Sequence, residues 1–329
     1  MLIPEFEKQS FTQVVFPHEN TDWAYCLEDA RKNFVEIINA IRIFQPCLVV
    51  CDEIKKVKAY FEDHTNIVFT QCATNDTWAR DTSALSIEEN GEIKLLNFTF
   101  NAWGGKFEST LDNAMSKKIA SCYSCEMEDI DFILEGGGVE SNGEGLILTT
   151  SECMLNPNRN KDLSKEEITE KLKEYFGAKE ILYVDHGYLA GDDTDSHIDT
   201  LARFISKDTI MYVACDDQND EHYEALKKME DDLKEFVLAH KLKLIKLPMA
   251  SAVYEGKERL PATYANFLFV NEGVIVPTYN VKEDEEALEI FKWAFPNRKI
   301  VGVDCRTLIR QHGSLHCVTM NFAAGITLS

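Results

Sequence analysis

Four stretches of this 329-residue chain carry side chains that could do chemistry together. They are Trp78 and Asp81 in TWARD, Glu135 in LEGGG, His197 and Asp199 in DDTDSHID, and Cys317 in HGSLHCVTM. Cys317 taken alone has three readings: nucleophile, metal ligand, or small buried residue, since free cysteine is among the most buried residue types. A nucleophilic thiol needs a depressed pKa or a neighbouring cation, and a general acid/base partner. His197 suits that partner role, because an ordinary imidazole titrates near neutrality. Three carboxylates beside a thiol would hold it protonated and raise one another's pKa values. The set makes sense if the substrate brings the positive charge. A guanidinium is planar, permanently charged and forked, and pairs bidentately with carboxylates. Two or three carboxylates could clamp its nitrogens and leave its carbon above the sulfur, and the bound cation would then favour the thiolate.

The whole chain narrows the function class. It is 45% apolar, 10% aromatic and 27% charged, an ordinary globular composition. Its formal charge is −22, with a pI of about 4.8. Such a surface repels nucleic acid and anionic lipid, whose binding needs a basic patch, whereas a focusing acidic cleft attracts small cations. No apolar run reaches the length of a membrane span. The N-terminus, MLIPEFEKQS, lacks the basic and apolar regions of a signal peptide. Ten cysteines without such a signal point to free thiols in a reducing, cytoplasmic compartment. CYSC, with Cys122 and Cys125, is a lone pair with no second pair in register, so no structural zinc site is expected.

The elements that must position these residues follow a loose repeat. Amphipathic helices are expected in TDWAYCLEDARKNFVEIINAIRIF, with Thr21 or Asp22 as N-cap, in SKEEITEKLKEYFG, with a Ser164–Glu167 capping box and Gly177 past its end, in NDEHYEALKKMEDDLKEFVLAH, and in KEDEEALEIFKWAF. Between them lie hairpins around Asn90-Gly91, Asn142-Gly143, Lys207-Asp208 and Asn271-Glu272. A fifth hairpin opens at HGSLHCVTMNF but the chain ends before a return strand, and FTQVVFPH near the other terminus could supply it. The hairpins begin near Asp81, Glu135, Asp199, Asn266 and Cys317, at intervals of about fifty to seventy residues. Five strand-turn-strand-helix units closed in a ring, terminus to terminus, would aim these positions at one centre.

Blander readings stand beside these. Asp81, Glu135 and Asp199 could only cap turns. Arg80 is expected to pair with a neighbouring carboxylate. His316 is expected to face away from the pocket if Cys317 faces it, because adjacent strand residues point to opposite faces, and it is read as structural. The glycine triplet at 136–138 reads as tight-turn backbone, since no P-loop lysine follows it.

TWARD, LEGGG…NGEG, NPNRN, GDDTDSHIDTLARF, LPATYANFL, PTYN and HGSLHCVTM, with FPHENTDWA near the N-terminus, together resemble the bacterial agmatine deiminase/peptidyl-arginine deiminase family. The resemblance covers nearly the whole chain. It implies an α/β fold, the five-bladed pentein propeller, as one catalytic domain over residues 1–329. It implies Cys317 as nucleophile, His197 as general acid/base, and Glu135 assisting proton transfer and holding a guanidinium nitrogen. Asp81 and Asp199 would bind the guanidinium, while Trp78 and Trp103 would line the pocket against the aliphatic part of the substrate. Asp193 and Asp195 are candidates for the distal amine of agmatine, or solvated loop acids. The implied reaction converts agmatine and water to N-carbamoylputrescine and ammonia through a covalent amidino-cysteine, with no metal or organic cofactor. Homo-oligomers are usual in the family. Departures from its pattern are SHID, where Gly-His-x-Asp is common, and HGSLHC, where Gly-Gly-Asn often precedes the nucleophile's strand. The alternatives are a peptidyl- or free-arginine deiminase and an inactive guanidinium-binding scaffold.

Overall fold

The computed structural model describes residues 1–328. Strands β1 (Gln9–Val15), β2 (Cys47–Cys51) and β3 (Ile67–Gln71) run parallel to one another, with helix α1 (Leu27–Ile41) crossing between the first two. Four further sheets share one plan, in which a hairpin is followed by a third strand parallel to its second. These are β4 (Leu85–Glu89), β5 (Glu92–Thr99) and β6 (Met127–Ile133); β7 (Glu140–Ser141), β8 (Leu146–Thr150) and β9 (Glu180–Val184); β10 (Ala202–Ser206), β11 (Thr209–Ala214) and β12 (Lys243–Pro248). After a small separate hairpin of β13 (Val253–Glu255) and β14 (Glu258–Leu260) come β15 (Leu268–Val270), β16 (Gly273–Thr278) and β17 (Lys299–Asp304). The last strand, β18 (Thr319–Ala323), pairs antiparallel with β1, Thr12 opposite Asn321 and Val14 opposite Thr319. The two termini therefore form the hairpin that the fifth unit lacks in sequence, as expected of FTQVVFPH. That pairing occupies backbone groups that would otherwise be an aggregation-prone edge.

Hydrogen bonds join the units in succession and return to the first. Gly137 N donates to Asp81 Oδ1 (2.9 Å), Asn142 Nδ2 to Lys207 O (2.9 Å), Arg203 Nη1 to Phe267 O (2.8 Å), Asn321 Nδ2 to Phe269 O (2.8 Å) and Ala323 N to Ser86 Oγ (3.3 Å). The repeating unit is longer than the sequence pattern indicates, because each crossover returns to a third, parallel strand. A parallel partner needs such a crossover, supplied by α2 (Lys165–Phe176), α3 (Tyr223–His240) and α4 (Glu283–Ala294) in three sheets. In the β4–β6 sheet, short turns between Ala102 and Cys122 replace a long helix.

Local signals explain both ends of α2. Ser164 accepts from Glu167 N and the Glu167 side chain accepts from Ser164 N, closing the capping box on α2, and Gly177 ends it at φ 58°. On α3, Leu226, Met229 and Leu233 recur on one face and are buried, each contributing about 1.5–3 kcal/mol. The first helix departs from expectation. Residues Asp22–Cys26 form a 3₁₀ turn, and Thr21 Oγ1 donates to His18 O instead of capping. The turn swings Trp23 into the core, where its Nε1 donates to Thr77 Oγ1 (2.9 Å) beneath Trp78. No helix among the described residues is long and apolar enough to cross a membrane.

Candidate active site

The five hairpin openings meet at one end of the ring. None of the key residues sits in a strand: Asp81 lies in the turn Ala79–Thr82, Glu135 before the turn Gly136–Gly138, Asp199 in the turn Ile198–Thr200, and Cys317 two residues ahead of β18. Their convergence is tight around Gly137. A Cβ there would lie 2.7 Å from His197 Nδ1, 3.0 Å from Asp81 Oδ1 and 3.1 Å from Asp199 Oδ2. The glycine triplet is thus turn backbone, as expected, and also the floor against which three candidate side chains pack.

A cavity of about 290 Å³ leads down to Cys317, lined by Trp78, Asp81, Trp103 and Asp193 among others. Cys317 is 6% exposed, while His197, Asp199 and Glu135 are 1% exposed beneath the cavity floor. Asn266, at the fourth hairpin opening, accepts from Cys317 Sγ (3.4 Å) and from His316 N (2.9 Å), fixing the turn that carries the thiol. Burial pushes the Cys317 thiol well above its ordinary pKa, and the charges of Asp199 and Asp81 push it further. Burial also raises Asp81 to about 6, against the pull of His197. For His197 burial favours the neutral ring, but Asp81 (Nδ1 to Oδ1 3.7 Å), then Cys153 and Glu135, outweigh it and raise the pKa. His197 Nε2 lies 4.0 Å from Glu135 Oε2. Two buried atoms at this centre, His197 Nε2 and Asp199 Oδ1, have no hydrogen-bond partner. Leaving such groups unsatisfied is costly.

The tryptophans are held by unusual local geometry. Trp103 Nε1 donates to Asp81 Oδ2 (3.0 Å), and the ring is packed by Phe100 and Phe107. Its backbone, like that of Ala102, is left-handed (φ 52° and 54°), the strain that functional sites tolerate when surroundings over-determine them. Trp78 packs closely against Gly313, where a Cβ would come within 2.1 Å of the indole.

Sequence expectations fare differently around this centre. Arg80 pairs with Glu5 and donates to Asn321 Oδ1 (3.0 Å), as expected of it. His316 does not line the cavity, but for a different reason than strand alternation: it sits in a turn and its ring lies behind Asp199, Nδ1 to Oδ2 2.6 Å. Asp193 lines the cavity and is raised to about 6 by burial, then by Asp192. Asp195 is placed differently. Its oxygens receive Lys106 Nζ (2.9 Å) and Arg159 Nη1 (2.8 Å), and it is absent from the cavity wall. It supports Arg159 instead.

Several functional neighbours were not assigned from sequence. Arg159, inside NPNRN, donates Nε to both oxygens of Glu135 (3.0 and 2.8 Å) and Nη2 to Thr194 O (3.0 Å). Cys153 is buried beside His197, its sulfur within 4.8 Å of ligand atoms of His197 and Glu135. A metal ion in that group would have to share Glu135 with the Arg159 guanidinium, whose charge repels it. Cys153 does not line the cavity, whereas Cys317 does. Asp22, Asp76 and Asp112 add acids to the cavity wall. Burial, then Asp22 and Asp112, raise Asp76 to about 7, and burial raises Asp112 to about 7. Trp78 Nε1 donates to Asp76 Oδ2 (3.3 Å), which ties this acid to the aromatic wall.

Residues 1–322 match the family model described as Porphyromonas-type peptidyl-arginine deiminase. A cysteine-to-serine variant of C. jejuni agmatine deiminase, solved with substrate bound, superposes with a TM-score of 0.94 at 45% identity, over 98% of this chain and 96% of that one. The agmatine deiminase of Enterococcus faecalis, solved catalysing its reaction, gives a TM-score of 0.91 at 30% identity, over 98% and 95%. An amidinotransferase of Microseira wollei shares the fold alone, with a TM-score of 0.57 at 12% identity over 99% and 97%.

Proposed function

The chain belongs to the Porphyromonas-type peptidyl-arginine deiminase family, and from that premise we propose that it is an agmatine deiminase using Cys317 as its nucleophile. The observation that carries the choice of substrate is the cavity wall. It bears Asp22, Asp76, Asp81, Glu108, Asp112 and Asp193, and neither lysine nor arginine. Agmatine is a dication, with a guanidinium at one end and an amine at the other. Free arginine would bring an α-carboxylate into that acidic wall, where the neighbouring cation, Lys106, is already held by Asp193 O and Asp195.

The chemistry follows from the charges. Asp81 and Asp199 Oδ1 take guanidinium nitrogens, with Glu135 at a third, and Trp78 and Trp103 flank the methylene chain. The amine lies towards Asp193 and Asp76. The substrate's charge reverses the electrostatics that hold the empty site protonated, lowering the Cys317 pKa towards thiolate. The sulfur attacks the guanidinium carbon, and His197, kept protonated by Asp81 and Glu135, gives its proton to the departing ammonia. The carbon–nitrogen bond breaks and a covalent amidino-thioether remains. His197, now neutral, takes a proton from water. The hydroxide adds to the same carbon, the thiolate leaves, and N-carbamoylputrescine is released. Arg159 clamps Glu135 so that it cannot swing from the ring nitrogen.

The test is ammonia release from purified protein offered agmatine, free arginine and an arginyl peptide in turn. Agmatine is expected to be the efficient substrate. Comparable or faster release from either arginine compound contradicts this reading of the acidic wall, and no release from any contradicts the enzyme reading.

A further inference from the structure

Behind Asp199 lies a buried ionic cluster with no place in the reaction just described. His316, 1% exposed, lies between two carboxylates: Nδ1 is 2.6 Å from Asp199 Oδ2, and Nε2 is 2.9 Å from both oxygens of Glu5. Glu5 comes from the N-terminal segment, 311 residues away in sequence. It also receives Arg203 Nη2 (2.8 Å) and pairs with Arg80 Nη1. Arg203 pairs in turn with Glu140 and stacks its guanidinium over Phe267 at 4.7 Å. The main chain of His316 is pinned by Asn266 Oδ1 (2.9 Å). Every partner of this imidazole is therefore fixed from a different part of the ring.

We propose that Glu5 and His316 form a positioning relay that holds Asp199 by its Oδ2 and presents its unpartnered Oδ1 to the substrate cation. The inference rests on the guanidinium reading of the site. A neutral imidazole has one donor and one acceptor nitrogen, and an ionised carboxylate only accepts. Two arginines hold Glu5 ionised, so Nε2 carries a proton and donates to it. The short contact on the other side then has two forms: an imidazolium donating to ionised Asp199, or a neutral ring accepting from protonated Asp199. Only the first leaves Asp199 able to pair with a guanidinium. With a cation at Oδ1 Asp199 must be ionised, and the lone pair of a neutral ring's Nδ1 cannot face an ionised Oδ2 at 2.6 Å, so the ring must then carry its second proton. In the empty site burial, Arg203 and Arg80 outweigh Glu5 and Asp199 and lower the His316 pKa. A cation arriving at Asp199 Oδ1 tips the balance by drawing negative charge onto the carboxylate and the proton onto the ring. His316 is thus a positioning residue, and it makes the N-terminal segment part of substrate binding.

Two measurements test the relay. In Glu5→Gln the ring loses its anionic partner, and the KM for agmatine is expected to rise about ten- to a hundredfold, with kcat changing less. Glu5→Asp, which restores the charge, is expected to recover part of that loss. Independently, ¹⁵N NMR of imidazole-labelled Cys317→Ser protein reads the ring directly, with the His316 signal assigned by its loss in a His316→Gln companion. On adding agmatine both His316 nitrogens are expected to move to imidazolium shifts. Equal KM in wild type and Glu5→Gln overturns the relay, as does a His316 ring that stays neutral in the substrate complex. If Glu5→Gln fails to fold, the NMR result alone decides. Wild-type turnover of agmatine is recorded in the same series, so absence of activity there counts against the proposed function and not the relay.

Discussion

Two groups of carboxylates flank the reacting centre, and they are treated in opposite ways. Behind Asp199, Glu5 and Glu140 are matched by Arg80 and Arg203 in a closed network. On the cavity side, Asp22, Asp76, Asp112 and Asp193 share a wall that carries neither lysine nor arginine. A balanced buried cluster orients side chains, since breaking one partner leaves an uncompensated charge. An unbalanced acidic wall stores an affinity for cations. On the proposed reading the same residue type is frame in one region and recognition surface in the other, and the difference is how much counter-charge the fold supplies.

Removing the frame should cost most. Deletion of residues 1–18 takes away β1, including Phe11, Val14 and Val15, as well as Glu5. Each buried apolar side chain lost forfeits about 1.5–3 kcal/mol, so the truncated protein should melt far below wild type or fail to fold. Full thermal stability on circular dichroism would show that closure by β1 is dispensable. Next in size are Asp81→Asn and Asp199→Asn, which remove charge where the two regions meet. Each should lower kcat/KM by about 3 kcal/mol or more, in the range typical of truncated buried charge pairs. A variant with near wild-type kinetics would reduce its residue to a turn cap.

The wall itself should respond more gently and selectively. Asp76→Asn should weaken agmatine by about 1–2 kcal/mol while hardly affecting a simple alkylguanidine that lacks the amine. Equal losses for both compounds would place the amine elsewhere. The smallest effect concerns pH. A carboxylate whose folded-state pKa exceeds its unfolded value stabilises below the unfolded value, and loses that contribution as pH rises through the folded one. With Asp76 and Asp112 at about 7 and Asp193 at about 6, the wall costs stability between about pH 4 and 7. Agmatine should therefore raise the melting temperature of Cys317→Ser protein more at pH 8 than at pH 5. Asp76→Asn should shrink that difference, and an unchanged difference would remove Asp76 from the account.

The contrast also marks how far the sequence could be read. Asp81, Glu135, Asp199 and Cys317 were legible because a repeat places them at equivalent hairpin openings, and chemistry-bearing types at equivalent openings stand out. Asn266 held the same position yet received no role, since an amide there resembles an ordinary turn residue. The third strand of each sheet lay beyond a crossover, without a hairpin signal, and so escaped the pattern. Glu5, Arg159 and Cys153 belong to contacts that bring together distant segments, which local spacing does not encode. Asp195 shows the same limit: sequence left it open between amine ligand and loop acid, and only the structure gives its oxygens Lys106 and Arg159 as partners.

The central claim is that the thiol at the foot of the acidic cavity, and not the enclosed one beside His197, attacks the substrate. Protein quenched during agmatine turnover, digested and analysed by mass spectrometry, reads this directly. An amidino adduct is expected on the Cys317 peptide, with no adduct and no ammonia release in Cys317→Ser, and a retained adduct in Cys153→Ser. An adduct on Cys153, or undiminished turnover by Cys317→Ser, would contradict it.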